Sequence, residues 1–279
     1  MTVINTNKSA LIATNALSAN ERVMQKTMQN LSTGSRINGA SDDAAGLAIK
    51  ENMTSQINGL NAAVRNANDA INMLQTADGA MGGISNMMQR MRELSVLGQN
   101  DTYSSAQKSA MNDEYQALLT QIDQVASTTQ WNKMGLTTGS GGEIGGAGKL
   151  TFQVGANAGQ AITVSLGNQA TSGLLSDIAG GTIATATGAS SALGNIDKAL
   201  SVLNANRSAI GAGINRLEHA INNLTNVAQN ATDSRSRVAD TDYSKATSDL
   251  ARQQIIQQAG TAMLAQANQQ PSTVLALLR

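Results

Sequence analysis

Apolar residues recur along this chain at alternating spacings of four and three, the period of a helical seam. In the N-terminal half the register reads Met53, Ile57, Leu60, Val64, Ala67, Ile71 and Leu74. It continues through Met81, Met88 and Met91, with Asp78 and Ser85 as polar interruptions. The pattern predicts one helix from about Ala44 to Leu97, ~80 Å long at 1.5 Å per residue. A polar break from Gly98 to Ser105 reads as a turn between antiparallel helices. After it comes a second seam, Met111, Tyr115, Leu118, Ile122 and Val125. A third runs Leu193, Ile196, Leu200, Leu203, Arg207, Ile210, Ile214, Leu217, Ile221, Leu224, Ala228 and Ala231. Arg207 at a seam position reads first as a long stem snorkelling over apolar surface, with a register device as the alternative.

Between the second and third seams the period changes. Nine glycines between Gly135 and Gly159 exclude helix. Leu150–Val154 and Ile162–Leu166 alternate with period two and read as a β-hairpin. The Ala/Gly/Thr/Ser-rich stretch from Gly167 to Ser190 reads as an exposed loop. Both ends carry seams of their own. Leu17, Met24, Met28 and Leu31 predict a helix ending near Thr33-Gly34. Tyr243, Ala246, Leu250, Ile256, Ala259, Leu264 and Ala267 predict another that stops before Pro271, the sole proline. The paired carboxylates Asp42/Asp43 and Asp240/Asp242 sit where helices begin and read as caps, not catalytic pairs. The two terminal seams have no obvious partner in the chain except each other, and the tail Val274–Leu278 is strongly apolar.

Composition narrows the function. Of 279 residues only five are aromatic, Tyr103, Tyr115, Trp131, Phe152 and Tyr243, too few for an ordinary ligand pocket. Lys+Arg and Asp+Glu balance at 19 each, so there is no electrostatic case for nucleic acid. With no cysteine and only His219, neither thiol chemistry nor a Cys/His metal site can be built. The glycine run at 139–148 lacks the Lys-Ser/Thr ending of a phosphate loop. Met81, Met88 and Met91 read as seam fillers. No signal segment or membrane-length apolar run is evident, which taken alone suggests a soluble, cytoplasmic protein. Only 14% of the chain is charged, and its polar face is Asn, Gln, Ser and Thr, which suits packing against neighbours. The fold class expected is mainly α: long antiparallel helical rods, a coiled-coil bundle, with a small β-hairpin region. No enzyme activity, cofactor or metal is expected.

Several motifs, in order, resemble the bacterial flagellins. They are Ile4-Asn5-Thr6-Asn7, Leu31-Ser32-Thr33-Gly34-Ser35-Arg36-Ile37-Asn38 and Ser41–Ile49; then Gln89–Val96 and Phe152-Gln153-Val154-Gly155; and, near the end, Asp240–Tyr243, Gln257–Thr261, Leu264–Asn268 and Val274–Arg279. The resemblance covers roughly the first 130 and last 90 residues. The family's Phe-Asn-Gly-like turn appears here as Trp131-Asn132-Lys133-Met134-Gly135.

The resemblance implies a structural subunit that polymerises into a hollow flagellar filament for motility. It implies a terminal coiled-coil domain, 1–43 with 235–279, that is largely disordered in the monomer and forms the inner layer on assembly. Residues 44–234 would form a helical rod domain with the β-hairpin and Gly-rich outer loops at about 130–190. With so short a middle, no large outer domains are expected. The implied partners are further copies of the chain, a flagellar export chaperone, and cap and junction proteins. Host partners would be a toll-like innate receptor and intracellular flagellin sensors. Membrane insertion is not implied, and the location would be extracellular, reached through the flagellar export apparatus without a cleaved signal. The receptor would read Gln89, Arg90, Glu93, Leu94 and Glu114, residues that also serve subunit packing. Assembly and the intracellular sensors would use Leu264, Val274, Leu275, Leu277, Leu278 and Arg279. The alternatives are a hook–filament junction protein and, more distantly, a cytoplasmic coiled-coil scaffold.

Overall fold

A computed structural model of the chain describes residues 6–136, 149–167, 176–178 and 180–277, the last eight as backbone only. Its described elements are five α-helices and four short strands. Helix α1 spans Lys8–Thr33, α2 Ala44–Gly98, α3 Ser105–Thr128, α4 Ala186–Ala239 and α5 Tyr243–Leu277. Their ends follow from local chemistry. The Asn7 side chain caps α1 by accepting from the Ala10 amide at 3.0 Å, and Gly34 ends it in the left-handed conformation at φ 68°. Asp43 Oδ1 accepts from the Gly46 amide at 2.9 Å at the start of α2. Ser104 and Gln107 form a reciprocal capping box on α3. Asp242 accepts from the Ser244 and Lys245 amides at the start of α5. The other member of each carboxylate pair does different work. Asp42 pairs with Lys26 at 2.9 Å, and the Asp240 carboxylate accepts from the Ser236 hydroxyl while its backbone bridges to Ser35. The hydrogen bond from Lys26, then that from the Asn38 amide, holds the Asp42 carboxyl below its usual range.

Strands β1 (Gln130–Trp131) and β2 (Met134–Gly135) form a tight antiparallel pair at the Trp131–Gly135 turn. Its two central residues, Asn132 and Lys133, have φ 48° and 68°. A two-residue turn of type I′ needs positive φ at both, and Lys133 holds that conformation without being glycine. Strands β3 (Lys149–Gln153) and β4 (Ala161–Ser165) form the expected hairpin, with Leu150 opposite Val164 and Phe152 opposite Ile162. The glycine run at 139–148 lies outside the described residues.

The chain divides into two compact units, residues 1–56 with 230–279, and residues 57–229. The second holds the main core. Met81, Ile84, Met88 and Met91 of α2 are fully buried there, with Tyr115 and Ile122 of α3 and Ile196, Leu203, Ile210 and Leu217 of α4. The buried stripe of α2 is turned slightly from the sequence register. Ala63, Ala70 and Ala77 are buried where Val64, Ile71 and Asp78 were expected to point inward. Small residues let helix backbones approach closely, so alanine takes the contact line and the larger neighbours flank it. On α3, Leu119 and Ala126 are likewise more buried than Leu118 and Val125. The hairpin is seated on glycine: a Cβ at Gly213 would lie 2.7 Å from Val164 Cγ2.

Three expectations are corrected. Arg207 does not simply snorkel; its Nε donates to Asp78 Oδ1 at 2.8 Å, so the polar interruptions of two seams meet as one ion pair. The hydrogen bond to Asp78 raises the Arg207 guanidinium pKa further. The 167–190 stretch is not simply an exposed loop, because Ile178 and Ile183 are fully buried and α4 begins at Ala186. Asn112 Oδ1 accepts from the Ile183 amide at 2.9 Å, and Gln116 donates to the Gly181 carbonyl at 2.8 Å, tying that segment to α3. Finally, α5 continues through Pro271 to Leu277. Proline removes one N–H from the helical ladder, but a single gap does not end a helix whose neighbours hold it in place.

Tyr115 sits in the second unit with no exposure, and its hydroxyl has no partner among the described residues. Burial pushes its pKa from 10.0 up to about 12. The unfolded phenol ionises first, so stability is full below pH 10 and is lost as pH rises from there towards 12. The loss approaches about 2–3 kcal/mol at the top of that window. Thermal melts should show Tyr115→Phe no less stable at neutral pH and losing less stability than the unmodified chain above pH 10.

Candidate functional site

In the second unit, α2 and α3 bring together most of the residues expected to form a recognition surface. Arg90 Nε donates to Glu114 Oε1 at 2.8 Å and its NH2 to Glu114 Oε2 at 3.3 Å, a two-pronged pairing between helices. Its NH1 donates to Glu93 Oε2 at 3.0 Å, one turn along α2. The hydrogen bonds to Glu114 and then Glu93 raise the Arg90 guanidinium pKa further, so it stays charged. Gln89, Arg90, Glu93 and Glu114 are all exposed. Leu94 is not: at 1% exposure it lies in the core beside Met91 and Ser95. It therefore does not share the exposed surface of Arg90. Residues four apart are separated by ~40° around a helix, and the edge of the buried stripe falls between these two. Leu97, seven residues from Arg90, is the exposed apolar side chain on that face, at 38%.

Arg92 Nε donates to Asp197 Oδ1 at 2.7 Å and joins α2 to α4, a contact not anticipated from sequence. The signal was present but weak, since opposite charges far apart in a chain identify each other only once the helices are aligned. The same holds for Asp78 and Arg207.

In the first unit, α1 pairs antiparallel with α5. Asn20 donates to the Gln253 carbonyl at 2.9 Å, the Gln253 amide to Thr27 Oγ1 at 3.2 Å, and Tyr243 Oη to the Leu31 carbonyl at 3.0 Å. Much of the pair's apolar surface is nevertheless open. No residue of α1 is buried, and Ile12 and Leu11 are 70% and 59% exposed. Val23, Met28, Ile255 and Met263 are also exposed. An apolar groove runs between the helices, lined by Ile12, Ala16, Leu17, Ile256 and Met263. Leu264 is half-buried at its C-terminal side. The backbone of Val274, Leu275 and Leu277 continues α5, their side chains lie outside the described residues, and so do Leu278 and Arg279 altogether. Among the described residues no cluster of potential ligands could hold a metal, and no helix is long and apolar enough to cross a membrane. What the two units offer is surface for contact.

Comparisons with known proteins agree on the family. The model of the bacterial flagellin N-terminal helical region matches residues 4–141, and that of the C-terminal helical region matches residues 193–278. A flagellin of Halalkalibacterium halodurans is 42% identical over 99% of this chain and 100% of its own length. The chain belongs to the bacterial flagellin family. The crystal structure of Bacillus cereus flagellin is 28% identical with a TM-score of 0.50, covering 57% of this chain and 88% of that one. A putative flagellar hook-associated protein from Vibrio parahaemolyticus has a TM-score of 0.60, covering 71% of this chain and all of that one. At 14% identity it shares the fold alone. The flagellin match runs the whole length of both chains, so membership rests on the helices and on the short middle between the two family regions alike.

Proposed function

We infer that this flagellin is a structural subunit that polymerises into the bacterial flagellar filament. One observation carries the reading: α1 is a 26-residue helix with no buried residue, yet it presents Leu11, Ile12, Val23 and Met28 to solvent. Such a face is a poor ending for a solitary chain and a good interface for a polymer, where neighbouring copies exclude water from it. The sparse charge helps, because Asn, Gln and Ser can pair across subunits with little charge to desolvate. Family membership supports a filament component outside the cell.

The finer assignments belong to the same reading. Residues 1–43 and 235–279 form the inner layer of a hollow filament, and residues 44–234 the surrounding rod, with 130–190 facing outward. A flagellar export chaperone delivers the chain, and cap and junction proteins bound the polymer. Gln89, Arg90, Glu93 and Glu114 form the patch a host toll-like receptor would engage, with Leu97 rather than the buried Leu94 as its apolar side chain. Leu264, Val274, Leu275, Leu277, Leu278 and Arg279 serve terminal assembly and the intracellular sensors. The junction-protein alternative is not favoured, since likeness to a hook-associated protein is one of fold only.

Seeding the purified chain with short filament fragments tests the reading. Micrographs should show filaments that lengthen as long as subunit remains. A chain that only decorates the fragment ends and stops would be a junction protein.

A further inference from the structure

The proline within α5 leaves a defined gap. In a helix the amide of residue 271 would donate to the carbonyl of residue 267, and Pro271 has no amide hydrogen to give. The Ala267 carbonyl is instead met from the other helix, where Asn7 Nδ2 donates to it at 2.7 Å. The same side chain caps α1 through its oxygen, which accepts from the Ala10 amide at 3.0 Å. One amide group thus starts the first helix and repairs the last. Ala267 is 9% exposed, so this carbonyl is shielded from most of the water that could otherwise satisfy it. The bond also lies in register with the other rungs of the pair, Asn20 to Gln253 and Tyr243 to Leu31. Each step forward along α1 is matched by a nearly equal step back along α5.

We propose that Asn7 is the positioning residue that fixes the register of the terminal helix pair, its side-chain amide standing in for the N–H that Pro271 lacks. A shift by one turn would give Asn7 a carbonyl already served by its own helix, so Pro271 marks which carbonyl is available. The proposal rests on the filament reading, because the register of this pair determines which apolar side chains face neighbouring subunits.

A double-mutant cycle with seeded elongation as the readout tests it. Asn7→Asp keeps an oxygen to cap α1 and replaces the donor with a carboxylate oxygen; Asn7→Ser keeps the cap without the reach or the added charge. In the unmodified background both should raise the subunit concentration needed for growth by up to about tenfold, as expected for one part-buried hydrogen bond. In a Pro271→Ala background the restored amide serves Ala267, and the same substitutions should cost less than about threefold. Any effect of Pro271→Ala alone cancels in the cycle. Equal losses in both backgrounds, or no loss beside Pro271, would overturn the proposal while the unmodified chain still elongates. An unmodified chain that does not elongate would overturn the filament reading, and the proposal with it.

Discussion

A chain lacking residues 8–33 is expected to keep its second unit folded and to lose filament growth. The core of residues 57–229 draws on α2, α3, α4 and the β3–β4 hairpin and contains nothing from α1. Helix α1 contributes the opposite property. Leu11, Ile12, Val23 and Met28 are each more than half exposed in the single chain. Fully burying a large apolar side chain contributes ~1.5–3 kcal/mol, so covering what these four still expose contributes on the order of 4 kcal/mol per subunit. That corresponds to about a thousandfold in the concentration needed for growth. Thermal melting followed by circular dichroism should find the second unit's transition unchanged. Sedimentation after seeding should leave the shortened chain in the supernatant at concentrations where the full chain pellets.

The second large effect is expected at Leu94. Truncation to alanine removes a side chain that is 1% exposed and packed in the main core, a change that costs about 2–5 kcal/mol. For a unit of this size the melting temperature should fall by roughly 5–15 °C. Arg90→Ala should leave the melting temperature nearly unchanged, because Arg90, Glu93 and Glu114 are all solvated. The pair of variants separates two roles that look alike from the sequence. Receptor engagement lost with Arg90→Ala at unchanged melting would mark a surface contact. Engagement lost with Leu94→Ala only above its lowered melting temperature would mark a packing residue. A Leu94→Ala chain that melts like the unmodified one would contradict the burial described for it.

The sequence made the helices, the turn at Gly98 to Ser105 and the hairpin legible because each rests on strong local signals. Leu, Ile and Met repeat at helical spacing, Gly34 stops α1, and period two with glycine flanks marks β3 and β4. The precise face of α2 was not legible. Alanine adds little to a hydrophobic pattern yet occupies the closest helix contact, so the seam read from Val64 and Ile71 misses Ala63, Ala70 and Ala77. The resemblance groups Arg90 and Leu94 in one recognition surface, and the boundary of the buried stripe falls between them. Arg207 and Asp78 were each seen as an interruption, but no local rule links residues in different seams. The Ala267 carbonyl that Pro271 leaves without a helical donor is met by Asn7, almost a full chain length away, which no local pattern can supply. The motifs shared with flagellins added what periodicity lacks, namely the expectation that other copies cover the terminal seams.

The most direct measurement is oxidative footprinting of methionine in the free subunit and in the assembled filament. Met28 and Met263 are 54% and 66% exposed in the single chain, whereas Met81, Met88 and Met91 are fully buried and serve as internal controls. If neighbouring copies cover the terminal helix pair, Met28 and Met263 should react readily in the subunit and become strongly protected on assembly, while the three core methionines stay unreactive throughout. Equal reactivity of Met28 and Met263 in subunit and filament would contradict the account, because the exposed face of α1 and α5 would then not be what the polymer buries.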